Sequence, residues 1–220
     1  ELLDIAPEKV HVVYGGIVPD EFEGALDEKR VSALRRQFEI EGDYFIHLGT
    51  IEPRKNLVRL LEAYGRVREV RRDCPVLVLA GSRGWKSEPV YDAIAEFGLE
   101  ECVRVTGYLE RGDAVLLLRE AFGCLYPSLY EGFGLPVLEA MAARVPVLTS
   151  TVSSLPEVVG DTGILVDPAD VDEIAAGITE LLENETARDE RVGKAYERSK
   201  RFSWAASAGR LAEIYRKFAR

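Results

Sequence analysis

The chain has 220 residues, 47 % of them hydrophobic and 30 % charged, which is enough apolar surface for a globular core. Its 38 Asp and Glu outnumber its 28 Lys and Arg, so the formal net charge is −10. No Lys/Arg-rich run offsets this acidity, and the composition therefore argues against a nucleic acid or an anionic membrane surface as partner.

No apolar run approaches the ~20 residues of a membrane-spanning helix and no signal-peptide pattern opens the chain, so we expect a cytoplasmic protein. Because the sequence begins at Glu1 without a methionine, we expect it to be a piece of a longer chain.

The cysteines and histidines predict no metal or redox site. Cys74, Cys102 and Cys124 have neither an even count nor metal-ligand spacing, and each borders an apolar run, so we interpret them as reduced core thiols. His47 lies inside an apolar strand-like run and His11 lies near the start of the chain. Both histidines are predicted to be structural.

Apolar strand-like runs alternate with segments of helical periodicity, which is typical of a parallel sheet covered by helices. Most of the runs are apolar on both faces, as buried parallel strands are. The sequence therefore predicts an α/β fold. The predicted strands are residues 9–14, 44–48, 76–80, 103–106, 123–126, 146–149 and 163–166.

Three amphipathic helices are predicted from apolar residues at helical spacing. The first begins near Leu57 and covers the sheet. The second follows Asp170 and the third follows Ser203, both favourable N-cap residues. The third helix carries an apolar stripe that needs a partner surface, formed by Trp204, Ala208, Leu211, Tyr215 and Phe218.

The loop Gly49-Thr50-Ile51-Glu52-Pro53-Arg54-Lys55-Asn56-Leu57 joins a predicted strand to the first of these helices. In open α/β sheets ligands bind at the carboxyl ends of strands, where this loop lies. Asn56 is predicted to cap the helix. The helix dipole disfavours cations at this end, so Arg54 and Lys55 call for an anion such as a diphosphate.

A second candidate segment is Glu131-Gly132-Phe133-Gly134-Leu135-Pro136, followed by Glu139-Ala140-Met141. The glycines allow close approach of a ligand to the backbone, and Pro136 suits the first position of a helix. Free N–H groups at such a helix start face an anion. Glu131 and Glu139 are then separated along the site, one for hydroxyls of a sugar ring and the other for hydroxyls of a ribose.

Other motifs are negative or ambiguous. Asp170-Val171-Asp172 looks like a metal-binding Asp-x-Asp, but carboxylates at a helix start complement the dipole, so no Mg²⁺ site is inferred. No Walker loop is present and no Gly-x-Gly-x-x-Gly follows a strand, which removes the main support for an ATPase or a dinucleotide oxidoreductase. The glycines of Gly81-Ser82-Arg83-Gly84 fit a tight strand-to-helix turn better than a ligand contact, and a core aromatic beside a turn explains Tyr108 nearly as well as a place in a ligand site.

Taken in order, these segments resemble the nucleotide-sugar site of the retaining family-4 glycosyltransferases (glycosyl transferases group 1), with mannosyltransferase-like features in residues 49–57. The resemblance covers residue 9 to the end of the chain. It implies a Rossmann-like parallel sheet with helices on both faces, as in the C-terminal half of a GT-B fold. Residues 1–29 would be a start and linker, 30–200 the core, and 201–220 a terminal helix that docks on an absent N-terminal acceptor domain.

The resemblance also assigns roles to residues. Lys55 would hold the donor diphosphate with help from Arg54, and Glu131 would orient the transferred sugar. Many family members have an arginine where this chain has Thr50, so the second phosphate cation is in doubt. The remaining implied donor contacts are Thr50, Gly81, Leu109, Phe133, Gly134, Leu135 and Glu139.

The implied function is transfer of a sugar from a nucleoside-diphosphate sugar to an acceptor, with retention of configuration and with neither cofactor nor metal. Residues 49–57 hint at GDP-mannose as the donor. Two alternatives stay open at this point: a non-hydrolysing sugar-nucleotide epimerase on the same scaffold, and a non-catalytic α/β binding module. The full-length enzyme would be cytoplasmic and at most peripheral to the membrane.

Overall fold

A computed structural model describes residues 5–219, and over that range it contains six strands and nine α-helices. The strands are β1 Tyr44–Leu48, β2 Val76–Ala80, β3 Val103–Gly107, β4 Gly123–Tyr126, β5 Val147–Ser150 and β6 Ile164–Val166. The helices are α1 Glu28–Gln37, α2 Leu57–Val70, α3 Glu88–Glu96, α4 Arg111–Arg119, α5 Leu135–Ala142, α6 Leu155–Val159, α7 Val171–Glu183, α8 Glu185–Ser199 and α9 Trp204–Phe218. Short 3-10 turns occupy Pro7–Lys9, Pro19–Phe22 and Pro53–Lys55.

All six strands pair in parallel, in the order β3-β2-β1-β4-β5-β6. The chain moves outward from β1 to β3 and then returns to the other side of β1 with β4. The direction of winding therefore reverses between β1 and β4. In doubly wound sheets this reversal opens a crevice at the carboxyl ends of the two central strands.

Strand side chains alternate between two core layers. In β1, Ile46 belongs to the layer covered by α1, α4 and α5, and Phe45 to the layer covered by α2, α3 and α7. All five residues of β1 are buried, which explains why the strand sequences are apolar on both faces. The predicted α/β fold, a Rossmann-like parallel sheet with helices on both faces, is confirmed.

Six of the seven predicted strands are confirmed. Those at 44–48, 76–80 and 123–126 have the predicted bounds. Of the other three, β3 ends one residue later than predicted, β5 is shifted by one residue and β6 begins one residue later. The strand predicted at 9–14 is wrong. Val10 and Val12 are 58 % and 60 % exposed, and this segment runs along α9 instead of pairing with the sheet, with Ser207 Oγ donating to the Tyr14 carbonyl at 2.7 Å.

The predicted N-caps are confirmed for α7 and α9. Asp170 accepts hydrogen bonds from the N–H groups of Asp172 and Glu173, and Ser203 accepts one from Ala206. Because Asp170 serves as the cap and Asp172 pairs with Arg66 at 2.5 Å, the Asp-x-Asp segment has the helix-opening role predicted for it.

Two predicted details of helix starts are corrected. Asn56 occupies the N-cap position of α2 in a left-handed conformation, and its side chain makes no capping hydrogen bond. Pro136 is the second residue of α5, which begins at Leu135. The left-handed Gly134, with φ of +100°, turns the chain into α5 one residue earlier than the proline alone indicates.

The three cysteines are free and buried, as predicted. Burial raises the pKa of Cys74 and of Cys124 to about 12, so both thiols stay protonated. Across the described range, no helix is both long and apolar enough to cross a membrane.

Candidate active site

A cleft of about 380 Å³ lies at the carboxyl edge of the sheet, between the loops that follow β1, β2 and β3 and the helices α4 and α5. Its lining includes four of the predicted donor contacts, namely Thr50, Gly81, Leu109 and Glu139. Leu48 and Val115 add apolar walls. Residues from motifs far apart in the sequence, such as Thr50 and Glu139, thus meet at one edge of the sheet, as the topology requires.

Beside this cleft, Lys55 and Glu131 form a buried ion pair. Lys55 Nζ donates to Glu131 Oε1 at 2.7 Å, and the two side chains are only 5 % and 8 % exposed. Lys55 comes from the 3-10 turn after β1 and Glu131 from the loop after β4, so the pair spans the point where the winding reverses. Tyr126, the last residue of β4, donates to the same carboxylate oxygen at 2.9 Å and also accepts a hydrogen bond from Lys55.

Burial and the ion pair shift the pKa values of Lys55 and Glu131, and on each residue the two effects act in opposite directions. Burial lowers the pKa of Lys55, although Glu131 opposes the shift. Burial alone would raise the pKa of Glu131, but the hydrogen bonds and charges of Lys55 and Arg54 outweigh it, and the pKa of Glu131 lies below its usual value. Glu131 is therefore a carboxylate near neutral pH.

Arg54 binds the second oxygen of Glu131, with Nη1 to Oε2 at 2.5 Å, and also pairs with Glu52 at 2.8 Å. Two cations, Arg54 and Lys55, thus face two carboxylates. The anion that the sequence analysis required for these cations is supplied by the chain itself. The cations alone therefore do not demonstrate a phosphate ligand, although they place two donors beside the cleft.

The amide of Asn56 ties three loops together. Its Nδ2 donates to the carbonyls of Pro127 and Pro168, at 3.0 and 2.6 Å, and the backbone carbonyl of Arg54 accepts from the N–H of Leu129 at 2.8 Å. The loops after β1, β4 and β6 are held in register by these bonds. This buried role explains why the Asn56 side chain does not cap α2.

Two glycines allow the loops after β1 and β2 to touch through their backbones. A Cβ atom on Gly81 would lie 1.9 Å from the Gly49 carbonyl oxygen, so a side chain has no space there. Gly49 itself borders both parts of the site, because it lines the cleft and a Cβ atom on it would lie 3.5 Å from Lys55 Nζ. The ion cluster and the cleft are therefore neighbours.

Glu139 projects from α5 into the cleft and pairs with Arg111, the first residue of α4. Arg111 Nη1 donates to Glu139 Oε1 at 2.7 Å, while Nε and Nη2 donate to Glu21 Oε2 at 2.9 and 2.6 Å. Burial raises the pKa of Glu139, and Arg111 opposes the shift.

The first two turns of α5 form one wall of the cleft. Pro136 and Glu139 line the cleft, and the N–H of Leu135, at the first helical position, has no acceptor within its own helix. Phe133 does not line the cleft. It packs against Tyr14 and Phe202, with ring centroids 6.1 and 5.8 Å away, and its donor contact stays a prediction.

Residues 5–219 contain no group of three or more His, Cys, Asp or Glu side chains that could hold a metal ion. His47 is fully buried and stacks on Tyr126 with 5.0 Å between ring centroids. Its Nδ1 donates to the Leu125 carbonyl at 3.0 Å. Burial lowers the pKa of His47 to about 4, in keeping with the structural role predicted for it.

Sequence reasoning missed Tyr126, Arg111 and Glu21 as members of the site. Tyr126 carried a usable signal, because a polar side chain ending a buried strand lies at the ligand-binding edge of the sheet. Arg111 and Glu21 carried none, since each looks like an ordinary surface charge until the fold brings them together.

Comparison with known proteins gives concordant results. The family glycosyl transferases group 1 matches residues 32–198. O-antigen chain mannosyltransferase B of Escherichia coli is 43 % identical over 162 residues, 73 % of this chain and 42 % of that protein. The MMP alpha-(1->4)-mannosyltransferase of Mycolicibacterium hassiacum is 33 % identical over 219 residues, 97 % and 49 % of the two chains.

Among solved structures, Anabaena Alr3699/HepE in complex with UDP and glucose superposes with a TM-score of 0.82 at 23 % identity, over 95 % of this chain and 57 % of that one. The chain thus spans about half the length of these three proteins. Since the family match extends over most of the described fold and includes Lys55, Glu131 and Glu139, the chain belongs to glycosyl transferases group 1.

Proposed function

We propose that this chain is the donor-binding half of a retaining glycosyltransferase that transfers a sugar, preferably mannose, from a nucleoside-diphosphate sugar to an acceptor. One observation carries the proposal. The buried ion pair of Lys55 and Glu131, with the more exposed Arg54 on the second carboxylate oxygen, adjoins a cleft lined by Glu139 at the carboxyl edge of the sheet. The cluster suits a diphosphate and a sugar, and the cleft suits a nucleoside.

The chemical step requires stabilisation of the leaving group. When the bond between the anomeric carbon and the diphosphate breaks, the electron pair stays on the diphosphate, and positive character develops on the sugar ring. Preorganised donors beside the leaving oxygen lower the barrier. We assign this task to Lys55, with Arg54 and the N–H groups of Gly134 and Leu135 assisting.

Two carboxylates orient the donor in this proposal. Glu131 accepts hydrogen bonds from hydroxyls of the transferred sugar, and the hydrogen bonds that Lys55 and Tyr126 donate to it fix its position for that task. Glu139, in the wall of the cleft, accepts hydrogen bonds from the ribose hydroxyls. The remaining proposed donor contacts are Thr50, Gly81, Leu109 and Phe133.

The donor identity rests on the relatives. Two of them are mannosyltransferases, which supports mannose, and the notion of GDP-mannose follows from residues 49–57. The Anabaena structure contains UDP and glucose, which supports a nucleotide sugar as the ligand class. The choice between a uracil and a guanine nucleotide is to be decided by titration. We propose that neither metal nor cofactor is required.

Calorimetric titration with UDP, GDP, ADP and their sugar conjugates tests the proposal. The wild-type chain should bind one nucleoside diphosphate, and Lys55→Ala should weaken that binding by roughly ten- to a hundredfold, because a hydrogen bond to a charged group contributes about 1.5–3 kcal/mol. Lys200→Ala is the matched control, since Lys200 pairs with Glu197 at 2.6 Å outside the cleft. Glu139→Ala should also weaken binding.

Two results would contradict the proposal. No binding of any nucleotide would indicate a non-catalytic α/β module. Conversion of a nucleotide sugar without an acceptor, seen by product analysis, would indicate the epimerase. We also propose that the acceptor site lies in an N-terminal domain outside this sequence, in a cytoplasmic enzyme that touches the membrane only peripherally.

A further inference from the structure

The charged side chains around Glu139 form a hydrogen-bonded network that the resemblance to the family did not include. Glu21, Arg111 and Glu139 lie in the Pro19–Phe22 turn, α4 and α5 respectively. They are joined by three hydrogen bonds of 2.6 to 2.9 Å, all donated by Arg111. Arg111 and Glu139 both line the cleft.

Glu21, at the outer end of this network, is fixed to the core. Glu21 precedes Phe22, which is 5 % exposed and belongs to the core layer that also contains α4 and α5. The guanidinium carbon of Arg111 lies 5.5 Å from the centre of the Phe22 ring. Arg111 is therefore held from two sides, by the carboxylate of Glu21 and by the face of Phe22.

The inner end leaves one acceptor free. Arg111 occupies Oε1 of Glu139, and within the described residues Oε2 makes no hydrogen bond. The side chain of Glu139 is 16 % exposed, so its rotation is restricted by packing as well as by the arginine. A carboxylate with one oxygen clamped and the other open presents a defined acceptor to a ligand in the cleft.

We propose that Arg111, anchored by Glu21, is a positioning residue for Glu139. Arg111 keeps Glu139 ionised and oriented, so that the open oxygen of Glu139 accepts hydrogen bonds from the ribose hydroxyls of the donor. The role in donor binding rests on the function proposed above. The effect of Arg111 on the ionisation of Glu139 does not depend on that function and is testable without a ligand.

The charge environment of Glu139 predicts opposite effects for the two partners. Burial raises the pKa of Glu139, the cation of Arg111 lowers it and the anion of Glu21 raises it. The charge of Glu139 in turn helps burial to raise the pKa of the Cys124 thiol on β4. Helices α6 and α8 also pack on α5, and they contribute no ion pair to Glu139 within the described residues.

The first test is a ¹³C NMR titration of the Glu139 side-chain carboxyl in the ligand-free 220-residue chain. Arg111→Gln should raise its pKa by about one unit or more, because an adjacent cation lowers a carboxyl pKa by about 1–3 units. Glu21→Gln keeps an acceptor for Arg111 while removing a negative charge, so it should lower that pKa. The control Arg30→Gln removes a comparable arginine that pairs with Asp113 of α4 at 2.5 Å outside the cleft lining, and it should leave the titration unchanged.

The second test measures the affinity for the nucleoside diphosphate against pH. Binding should weaken as Glu139 becomes protonated at low pH, and Arg111→Gln should move that loss to higher pH and weaken binding roughly tenfold at neutral pH. Unchanged Glu139 titration in both Arg111→Gln and Glu21→Gln would overturn the inference. If the wild type binds no nucleotide while the NMR shifts occur as described, the proposed function fails and the ionisation role of Arg111 stands.

Discussion

Lys55 is a charged side chain that the fold buries at a cost. Removing an ammonium group from water is unfavourable unless a carboxylate and further hydrogen bonds compensate. Glu131 and the Tyr126 hydroxyl provide that compensation. A cation kept at such a cost beside an open cleft suits a ligand that can share it, and a diphosphate brings more negative charge than the carboxylate alone.

The individual residues of this cluster were recognisable in the sequence, but their contact was not. Lys55 and Glu131 were each predicted from a local motif after a strand, whereas 76 residues separate them along the chain. Only the reversal of winding between β1 and β4 brings them together. The bridging Tyr126 and the Arg111–Glu139 pair follow from that same topology, which is why they were missed.

His47 provides a pH-dependent prediction at the residue scale. Burial lowers its pKa to about 4 in the folded chain, against about 6.5 when it is unfolded. Above about pH 6.5 the imidazole is neutral in both states and has no effect. Between pH 6.5 and 4 the unfolded chain binds a proton that the folded chain does not. The free energy of unfolding therefore decreases as the pH is lowered through this range, by up to about 3 kcal/mol.

Urea denaturation of the wild type and of His47→Phe across this pH range measures the effect. Phenylalanine keeps an aromatic ring to stack on Tyr126 and removes the titration, so the difference between the two free energies of unfolding should change with pH. A difference that is constant from pH 7 to pH 4 would show that His47 is not held neutral by burial.

At the scale of elements, the strands were predictable where burial on both faces fixes their composition. The wrong strand at 9–14 shows the limit of that signal. Its apolar residues lie against α9 or are exposed, and an apolar alternation does not say whether a neighbouring strand exists to pair with. Asn56 shows a similar limit, since the pull of two distant carbonyls on its amide overrides its local preference for capping.

The contact between the loops after β1 and β2 gives a prediction for an element pair. Gly81→Ala would bring its Cβ atom against the carbonyl oxygen of Gly49, so one loop must move. We expect the free energy of unfolding to fall by about 1–3 kcal/mol, as for other overpacked sites. Nucleotide affinity should fall as well, because Gly49 and Thr50 line the cleft.

Gly112→Ala is the matched control, because a Cβ atom at Gly112 in α4 would contact nothing within 4 Å. Alanine is favoured over glycine in a helix by about 0.5–1 kcal/mol, so this variant should be as stable as the wild type or more so. Thermal and urea unfolding of both variants decide the matter. Equal stability of the two would mean that the loops do not depend on the close approach at Gly81.

At the scale of the whole molecule, the fold leaves a broad apolar face on its last helix. No residue of α9 is buried over Trp204–Phe218, and Trp204 and Tyr215 are 53 % and 66 % exposed. The segment around Tyr14 contacts the helix through the Ser207 hydroxyl, and Ser207 is not a member of the apolar stripe. Large exposed aromatic surface of this kind is typical of a contact with another domain, which agrees with the proposed acceptor domain.

The final prediction separates binding from turnover. If the cleft is one half of a two-domain site, the isolated chain should bind its nucleoside diphosphate in the calorimetric titration proposed above, because this chain contains Lys55, Glu131 and Glu139. Transfer should be far slower than the ~1 s⁻¹ or more that is common for enzymes, because in this proposal the other domain holds the acceptor hydroxyl against the anomeric carbon.

Mass spectrometry of products formed from the bound nucleotide sugar and a panel of mannoside acceptors measures that rate, with Lys55→Ala as the variant that should lose binding as well. Transfer at an ordinary enzymatic rate by the 220 residues alone would contradict the division into donor and acceptor halves. The apolar face of α9 would then need another partner, since the cleft at the carboxyl edge of the sheet and the neighbouring Lys55–Glu131 pair would already contain everything that the reaction uses.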